Sequence, residues 1–252
     1  MKKLLAVCMC AIMAAGLLSG CGSKGSVTGK DTLIVGTNAE FPPFEYVDDN
    51  GEPDGFDIAL IKAIGEKMGK QVEVQNMEFD SLVSSIGSKI DLAIAGMTVT
   101  EEREKTVDFS DPYYTAVQYV ILPNGSAIAG YDDLKGSRIG VQMGTTGDFI
   151  ASEIAGSTVS RYNKGVDAVN DLLNERLDCV IIDKNPAETF VSIHSDTIQA
   201  VDGAQFGFEE ESYAIAMPSG DSQFVSQVNS ALKTLKEDGT YDQLVKKYIG
   251  EE

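Results

Sequence analysis

Phe56-Asp57-Ile58-Ala59-Leu60-Ile61-Lys62-Ala63-Ile64-Gly65-Glu66-Lys67-Met68-Gly69 is the stretch on which the fold turns. Apolar residues at 58, 61, 64 and 68 fall on one helical face, and Gly69 stands where the helix should stop. Before it, Leu33-Ile34-Val35 reads as a strand ending at Gly36-Thr37. After it, Gln71 to Met77 alternates as a strand, Ser81 to Ile86 suits a short helix, and Leu92 to Ala95 is a buried strand. A strand–helix–strand rhythm of this kind predicts an α/β sandwich with a largely parallel sheet.

The same rhythm restarts after Tyr119-Val120-Ile121-Leu122. Arg138 to Val141 is a strand, Thr146 to Ile154 and Val166 to Leu173 are helices, and Cys179 to Ile182 is a strand followed by a helix from Pro186. A strand at Tyr213 to Met217 and helices at Asp221 to Glu237 and Tyr241 to Ile249 complete the chain. Two similar halves without a Pro-rich linker predict two lobes joined by extended strands. Lobe 1 is expected at residues 31–118 and 216–252 and lobe 2 at 119–215, with Tyr119–Leu122 and Tyr213–Met217 crossing between them.

The N-terminus carries an address. Lys2-Lys3 precedes an apolar segment from Leu4 to Leu18, which makes residues 1–20 a secretory signal peptide. That segment is short of the ~20 residues of a membrane span. Its ending, Leu18-Ser19-Gly20-Cys21, resembles the lipobox of bacterial lipoproteins, which implies lipid on Cys21 and an extracytoplasmic, membrane-tethered chain. Residues 21–30, rich in Gly, Ser and Lys, are expected to be a flexible tether.

Composition narrows the function. The 252 residues carry a formal net charge of −19, and the signal holds two lysines and no acid, so the exported part is more acidic still. Nucleic acid is a poor partner for such a surface. Of four cysteines, Cys8 and Cys10 lie in the signal and Cys21 is the anchor, which leaves Cys179 without a partner for a disulfide. Cys179 sits in an apolar run and reads as a small core residue, while His194, the sole histidine, lies in a polar stretch. Thiol hydrolase chemistry is therefore not expected, no cluster has the spacing of a zinc site, and no cofactor is expected.

Three motifs carry the chemistry. Gly36-Thr37-Asn38-Ala39-Glu40-Phe41-Pro42-Pro43-Phe44-Glu45-Tyr46 leads to Gly55-Phe56-Asp57. Gly96-Met97-Thr98-Val99-Thr100-Glu101-Glu102-Arg103 leads to Asp108-Phe109-Ser110-Asp111-Pro112-Tyr113. Gln142-Met143-Gly144-Thr145-Thr146-Gly147 and Asp183 follow. In this order they resemble the polar amino-acid-binding proteins of ABC importers, the family 3 extracellular solute-binding proteins. The resemblance implies a two-lobed type II periplasmic-binding fold with a ligand cleft between its lobes, and delivery of an amino acid to a membrane permease.

A free amino acid presents a carboxylate, an ammonium and a side chain, and each needs a partner once desolvated. Arg103 has the forked guanidinium that grips a carboxylate, or is a solvated charge beside Glu101 and Glu102. Thr145 and Thr146 stand at a helix start, where N–H groups also suit an anion. Asp183 ends a strand, where crevices of parallel sheets lie, and could also cap the next helix. By resemblance it is the counter-ion of the ammonium, with Gly96 and Thr98 beside it and Met97 in the same motif. Phe41 and Phe79 correspond to aromatics around the ligand side chain, whereas Phe44 reads as core. Asn38, Glu40 and Gln142 flank that pocket, and Glu40 is either the cation's partner or a surface charge. The segments around Glu40 and Gln142 look like those of arginine binders, so a basic amino acid is expected, with glutamine or cystine as the alternative. Cyclohexadienyl dehydratases also resemble this family, but a binding protein rather than an enzyme is expected here, because the visible site residues are taken up by the amino acid's three groups.

Overall fold

The computed structural model describes residues 27–250, so the signal peptide and Cys21 lie outside the described residues. The strands of the first half are β1 (Thr32–Thr37), β2 (Glu40–Phe41), β3 (Glu45–Val47), β4 (Pro53–Asp54), β5 (Gln71–Asn76), β6 (Leu92–Ala93) and β7 (Val107–Phe109), with helices α1 (Phe56–Met68), α2 (Phe79–Ser85) and α3 (Glu101–Glu104). The second half contributes β8 (Tyr114–Pro123), β9 (Arg138–Gln142), β10 (Thr158–Tyr162), β11 (Cys179–Asp183) and β12 (Ile198–Asp202), with α4 (Thr146–Glu153), α5 (Gly165–Leu173) and α6 (Lys184–Ile193). The chain then returns through β13 (Glu210–Tyr213), β14 (Ala216–Pro218), α7 (Ser222–Glu237) and α8 (Thr240–Tyr248).

One sheet runs β5-β1-β6-β14-β7, the other β10-β9-β11-β8-β12, and β2-β3-β4 forms a small third sheet. β1 pairs in parallel with β5 and β6, and β9 pairs in parallel with β10 and β11. The central strands of both large sheets are covered on both faces, which explains why β6 and β11 are buried throughout. In β11, Val180 and Ile182 turn toward Ala168, Leu172 and Phe190 of α5 and α6, while Cys179 and Ile181 join Val141 and Ala151 beneath α4. Cys179 is thus a buried core residue, and burial together with nearby Asp178 pushes its thiol up to about 12.

The opening helix forms as its pattern demands. Ile58, Ile61 and Ile64 are fully buried, and α1 packs against α7 and α8. Gly69 ends it at φ 67°, with its N–H bonded to the carbonyls of Glu66 and Gly65.

Two expectations change. Residues 27–30, assigned to a flexible tether, are docked: Val27 is buried in the core and Lys30 pairs with Asp91 at 2.5 Å. Tyr213–Met217 is also not one strand. β13 pairs with Tyr114–Val117 of β8, the chain turns at Ala214–Ile215, and β14 enters the first sheet. At the turn, Ala214 N–H bonds to the Met97 carbonyl and Ile215 N–H to the Ser110 hydroxyl, so the ladder changes partners as the chain rounds the corner. The two-stranded ribbon between the sheets is therefore Tyr114–Val117 with Glu210–Tyr213, while Tyr119–Leu122 already belongs to the second sheet.

Gly69→Ala forces a β-carbon into the left-handed region and should cost about 1 kcal/mol. Ile64→Ala should cost about 2–5 kcal/mol by opening a cavity. Urea unfolding of both variants checks the ranking, which reverses only if α1 is not held by its apolar face.

Candidate functional site

Parallel strands direct their carboxyl ends to one edge, and the chemistry collects there. Asn38 follows β1, Ala95 to Thr98 follow β6, Gln142 ends β9 and Asp183 ends β11. These ends meet around a narrow cavity lined by Asn38, Phe41, Glu45, Phe79, Ala95, Gly96, Thr98, Arg103, Gln142, Thr145, Thr146 and Asp183.

Arg103 sits in the short helix α3, whose N-cap Thr100 accepts a bond from the Arg103 N–H. Its guanidinium is buried and donates to the carbonyls of Thr98 at 2.6 Å and Gly144 at 3.0 Å. The Phe79 ring lies 5.4 Å from its central carbon. Two carbonyls and an aromatic face fix its plane, leaving further N–H donors of the fork for an anion. Burial lowers its pKa to about 10, against the opposing pull of Glu211 and Asp183. The fork faces the start of α4, where Thr145 is the N-cap and accepts from the Asp148 N–H.

Asp183 takes the N-cap position of α6, yet its side chain makes no capping bond. Instead it accepts from the Tyr213 hydroxyl at 2.5 Å. Burial, then the charge of Glu211, raises its pKa to about 7, with hydrogen bonds from Tyr213 and Gln118 opposing.

Gly96 lies between these groups at φ 51°, and its N–H bonds to Asp57 at 2.8 Å. A β-carbon here would stand 2.9 Å from the Phe41 ring, so both backbone angle and space require glycine. Asp57, in the first turn of α1, also accepts from the Tyr113 hydroxyl at 2.7 Å. Burial raises its pKa to about 6, partly offset by those bonds.

The lobes touch across the cavity. Gln142 donates to Asn38 at 2.8 Å across the cleft, and Asn38 donates to the Met77 carbonyl at 2.9 Å within the first lobe. Glu40 and Met97 do not line the cavity. Glu40 pairs with Lys164 at 2.6 Å outside it, and the Met97 side chain is fully buried under the first sheet with Leu82 and Ile90. Phe44 is fully buried, as a core residue should be.

Sequence reasoning passed over Glu45, and the hairpin register explains its position. β2 and β3 pair Phe41 with Glu45 and Glu40 with Tyr46. Cross-strand partners share a face, so Glu45 stands with Phe41 toward the cavity while Glu40 points the other way. Once Phe41 was placed at the pocket, the turn at Pro42–Phe44 could have revealed this. Glu45 is fully buried, and neither carboxylate oxygen meets an N–H or hydroxyl donor among the described residues; it stands against the Asp57 carboxyl instead. Burial raises its pKa well above normal, followed by the charge of Asp57, proton sharing with Asp57 and the charge of Asp183. Glu211 was also missed. It lies two residues before Tyr213 on the same face of β13 and reaches Thr98 and Thr146 from behind.

Known proteins share this architecture. The arginine-binding extracellular protein ArtP of Bacillus subtilis (strain 168) is 38% identical over 99% of this chain and 98% of its own. A solved structure of an ancestral arginine-binding protein bound to arginine superposes with a TM-score of 0.83 at 40% identity, over 88% of this chain and 99% of that one. Another, bound to glutamine, gives 0.82 at 41% identity over the same shares. A family profile matches residues 33–251. With two α/β lobes closing on a cavity at their strand ends, the chain belongs to the bacterial extracellular solute-binding proteins, family 3.

Proposed function

We propose that this protein captures a polar amino acid, arginine above others, outside the cytoplasmic membrane and hands it to an ABC permease. The carrying observation is Glu45: a fully buried carboxyl group in the cavity wall that meets no N–H or hydroxyl donor among the described residues and stands against another carboxyl, Asp57. A desolvated carboxylate is costly unless paired. Phe41 and Phe79 offer flat faces beside it, suited to a guanidinium. The ligand carboxylate is assigned to Arg103 with the N–H groups at the start of α4, its ammonium to Asp183 and Thr98, and its guanidinium to Glu45. Asn38 and Gln142 close the wall, and Gly96, Thr145 and Thr146 supply backbone. The charges then balance, since arginine brings one negative and two positive groups to one guanidinium and two carboxylates.

The alternative, a neutral ligand such as glutamine, rests on the same residue in its other form. A protonated Glu45 donates one hydrogen bond and accepts others, which suits an amide. Each titratable group at the cavity is matched to a charge on the ligand, so no catalytic role is assigned. We place lobe 1 at 31–118 and 216–252 and lobe 2 at 119–215, a division supported by β1, β5, β6, β7 and β14 in one sheet and β9 to β12 in the other, with the ribbon of β8 and β13 joining them. Lipid on Cys21 is assigned from the Leu-Ser-Gly-Cys motif.

Glu45→Gln should weaken arginine at least tenfold and glutamine less than twofold, since a lost charge-assisted bond is worth about 1.5–3 kcal/mol. Glu40→Gln should change arginine less than threefold, and Asp183→Ala should weaken both ligands alike. Titration calorimetry decides, and equal loss of arginine and glutamine in Glu45→Gln ends the arginine reading.

Binding should release protons. Asp183, raised to about 7, is protonated in the empty cavity at acid pH and must ionise to meet an ammonium. Affinity for any amino acid should therefore fall about tenfold or more from pH 8 to 5.5, and more steeply for arginine because Glu45 must ionise too. The stability sign is opposite for the empty protein: the folded state holds protons more tightly than the unfolded one, so Asp183 makes stability decline as pH rises from about 4 to about 7. Calorimetry in buffers of different ionisation enthalpy counts the protons, and a flat pH profile contradicts the assignment.

Cys21→Ser should leave the domain folded and release it from the membrane, because the anchor is covalent lipid. Fractionation of cells producing the variant checks this, and continued membrane association would contradict the anchor.

A further inference from the structure

Glu211 lies behind the cavity, in the ribbon between the lobes, and a single oxygen of its carboxylate gathers three donors. Oε2 is 2.6 Å from the Thr98 hydroxyl, 2.8 Å from the Thr146 hydroxyl and 3.3 Å from the Gln118 amide nitrogen. Thr98 follows the first sheet and Thr146 opens α4 in the second half, so one carboxylate reaches a cavity residue from each side. The Gln118 amide nitrogen can only donate, and it also lies 3.0 Å from the Thr146 oxygen. Oε2 is therefore an acceptor, and both threonine protons must point to it.

A hydroxyl has one proton and two lone pairs. With the protons committed to Glu211, each threonine oxygen offers the cavity only lone pairs. Both threonines line the cavity together with the Asp183 carboxylate, and there their hydroxyls accept and do not donate. We propose that Glu211 is a positioning residue: by holding the protons of Thr98 and Thr146, it makes this end of the cavity specific for an ammonium and hostile to a carboxylate. The inference deepens the amino-acid reading and rests on it. It also orients the ligand, because Arg103 and the backbone at the start of α4 keep donors for a carboxylate. Charged neighbours agree: Glu211 acts on Asp183 and Arg103, making the amino end more negative and holding the guanidinium charged.

The test compares L-arginine with 5-guanidinopentanoate, its analogue lacking the α-amino group, on wild type, Glu211→Gln and Glu211→Ala. Arginine should weaken about tenfold or more in either variant, as expected for disordering charge-assisted bonds, while the analogue changes about twofold or less. A role confined to bracing the ribbon would move both ligands equally, and equal losses, or none, overturn the proposal. If wild type prefers a neutral amino acid, that amino acid and its des-amino form replace the pair, so failure of the arginine assignment stays separate. A second measurement needs neither variant nor ligand. In wild type, the hydroxyl protons of Thr98 and Thr146 should be observable by NMR in slow exchange with water, and rapid exchange of both overturns the proposal.

Discussion

Too many acids face too few bases around one cleft. Glu45, Asp57, Asp183 and Glu211 converge on a cleft in which Arg103 is the buried cation among the described residues. Coulomb repulsion between buried carboxylates grows as the surrounding dielectric falls, and burial raises the pKa values of Glu45, Asp57 and Asp183, with like charge adding to it at Glu45 and Asp183. The surrounding structure follows from managing this cost. Tyr113 and the Gly96 N–H steady Asp57, Tyr213 steadies Asp183, and two threonines with Gln118 steady Glu211. Glu45 alone of the four meets no N–H or hydroxyl donor among the described residues and has the Asp57 carboxyl for a neighbour. On the proposed reading, the two positive groups of arginine meet Glu45 and Asp183.

The contacts that close the lobes are modest by comparison. Asn38–Gln142 is a neutral amide pair, Glu40–Lys164 is a partly exposed ion pair, and Arg103 reaches a single carbonyl of Gly144. Exposed pairs of this kind add little. A closed form held so lightly can be tipped by a ligand that bridges Arg103 and Asp183, because a ligand shifts an equilibrium only by its differential affinity for the two states. Strong contacts between the lobes would hold the cleft shut without cargo.

Much of this was legible in the chain, for physical reasons. A helix buried on one face must repeat near 3.6, so 56–69 announced itself, and a strand covered on both faces must be apolar throughout, as Cys179–Ile182 is. Arg103 and Asp183 could be read because their motifs bring a forked cation and a strand-end acid to the same edge. Glu40 and Glu45 looked alike because sequence gives distance along the chain, not face. The hairpin between β2 and β3 sends residues five apart in sequence to opposite sides, and only the pairing of Phe41 with Glu45 tells them apart. Met97 misled for a related reason, since its neighbours Gly96 and Thr98 reach the cavity and alternation sends its own side chain into the core. Glu211 carried no motif, and its role exists only where the two halves meet.

The aromatic residues complete the argument about cargo. Phe41, Phe44, Tyr114 and Tyr213 form a contiguous set of ring contacts from the cavity wall into the ribbon, with Phe44 at 5.0 Å from Tyr114 and 5.3 Å from Tyr213. Such rings exclude water from the carboxyl groups behind them, which is what raises Glu45 and Asp183 in the first place. The same dryness strengthens any charge-assisted bond a ligand makes there. Cost in the empty state and gain in the filled state therefore come from one cause. A mutation that admits water would lower both together: the empty protein would lose its proton-holding carboxyls, and the ligand would lose its grip.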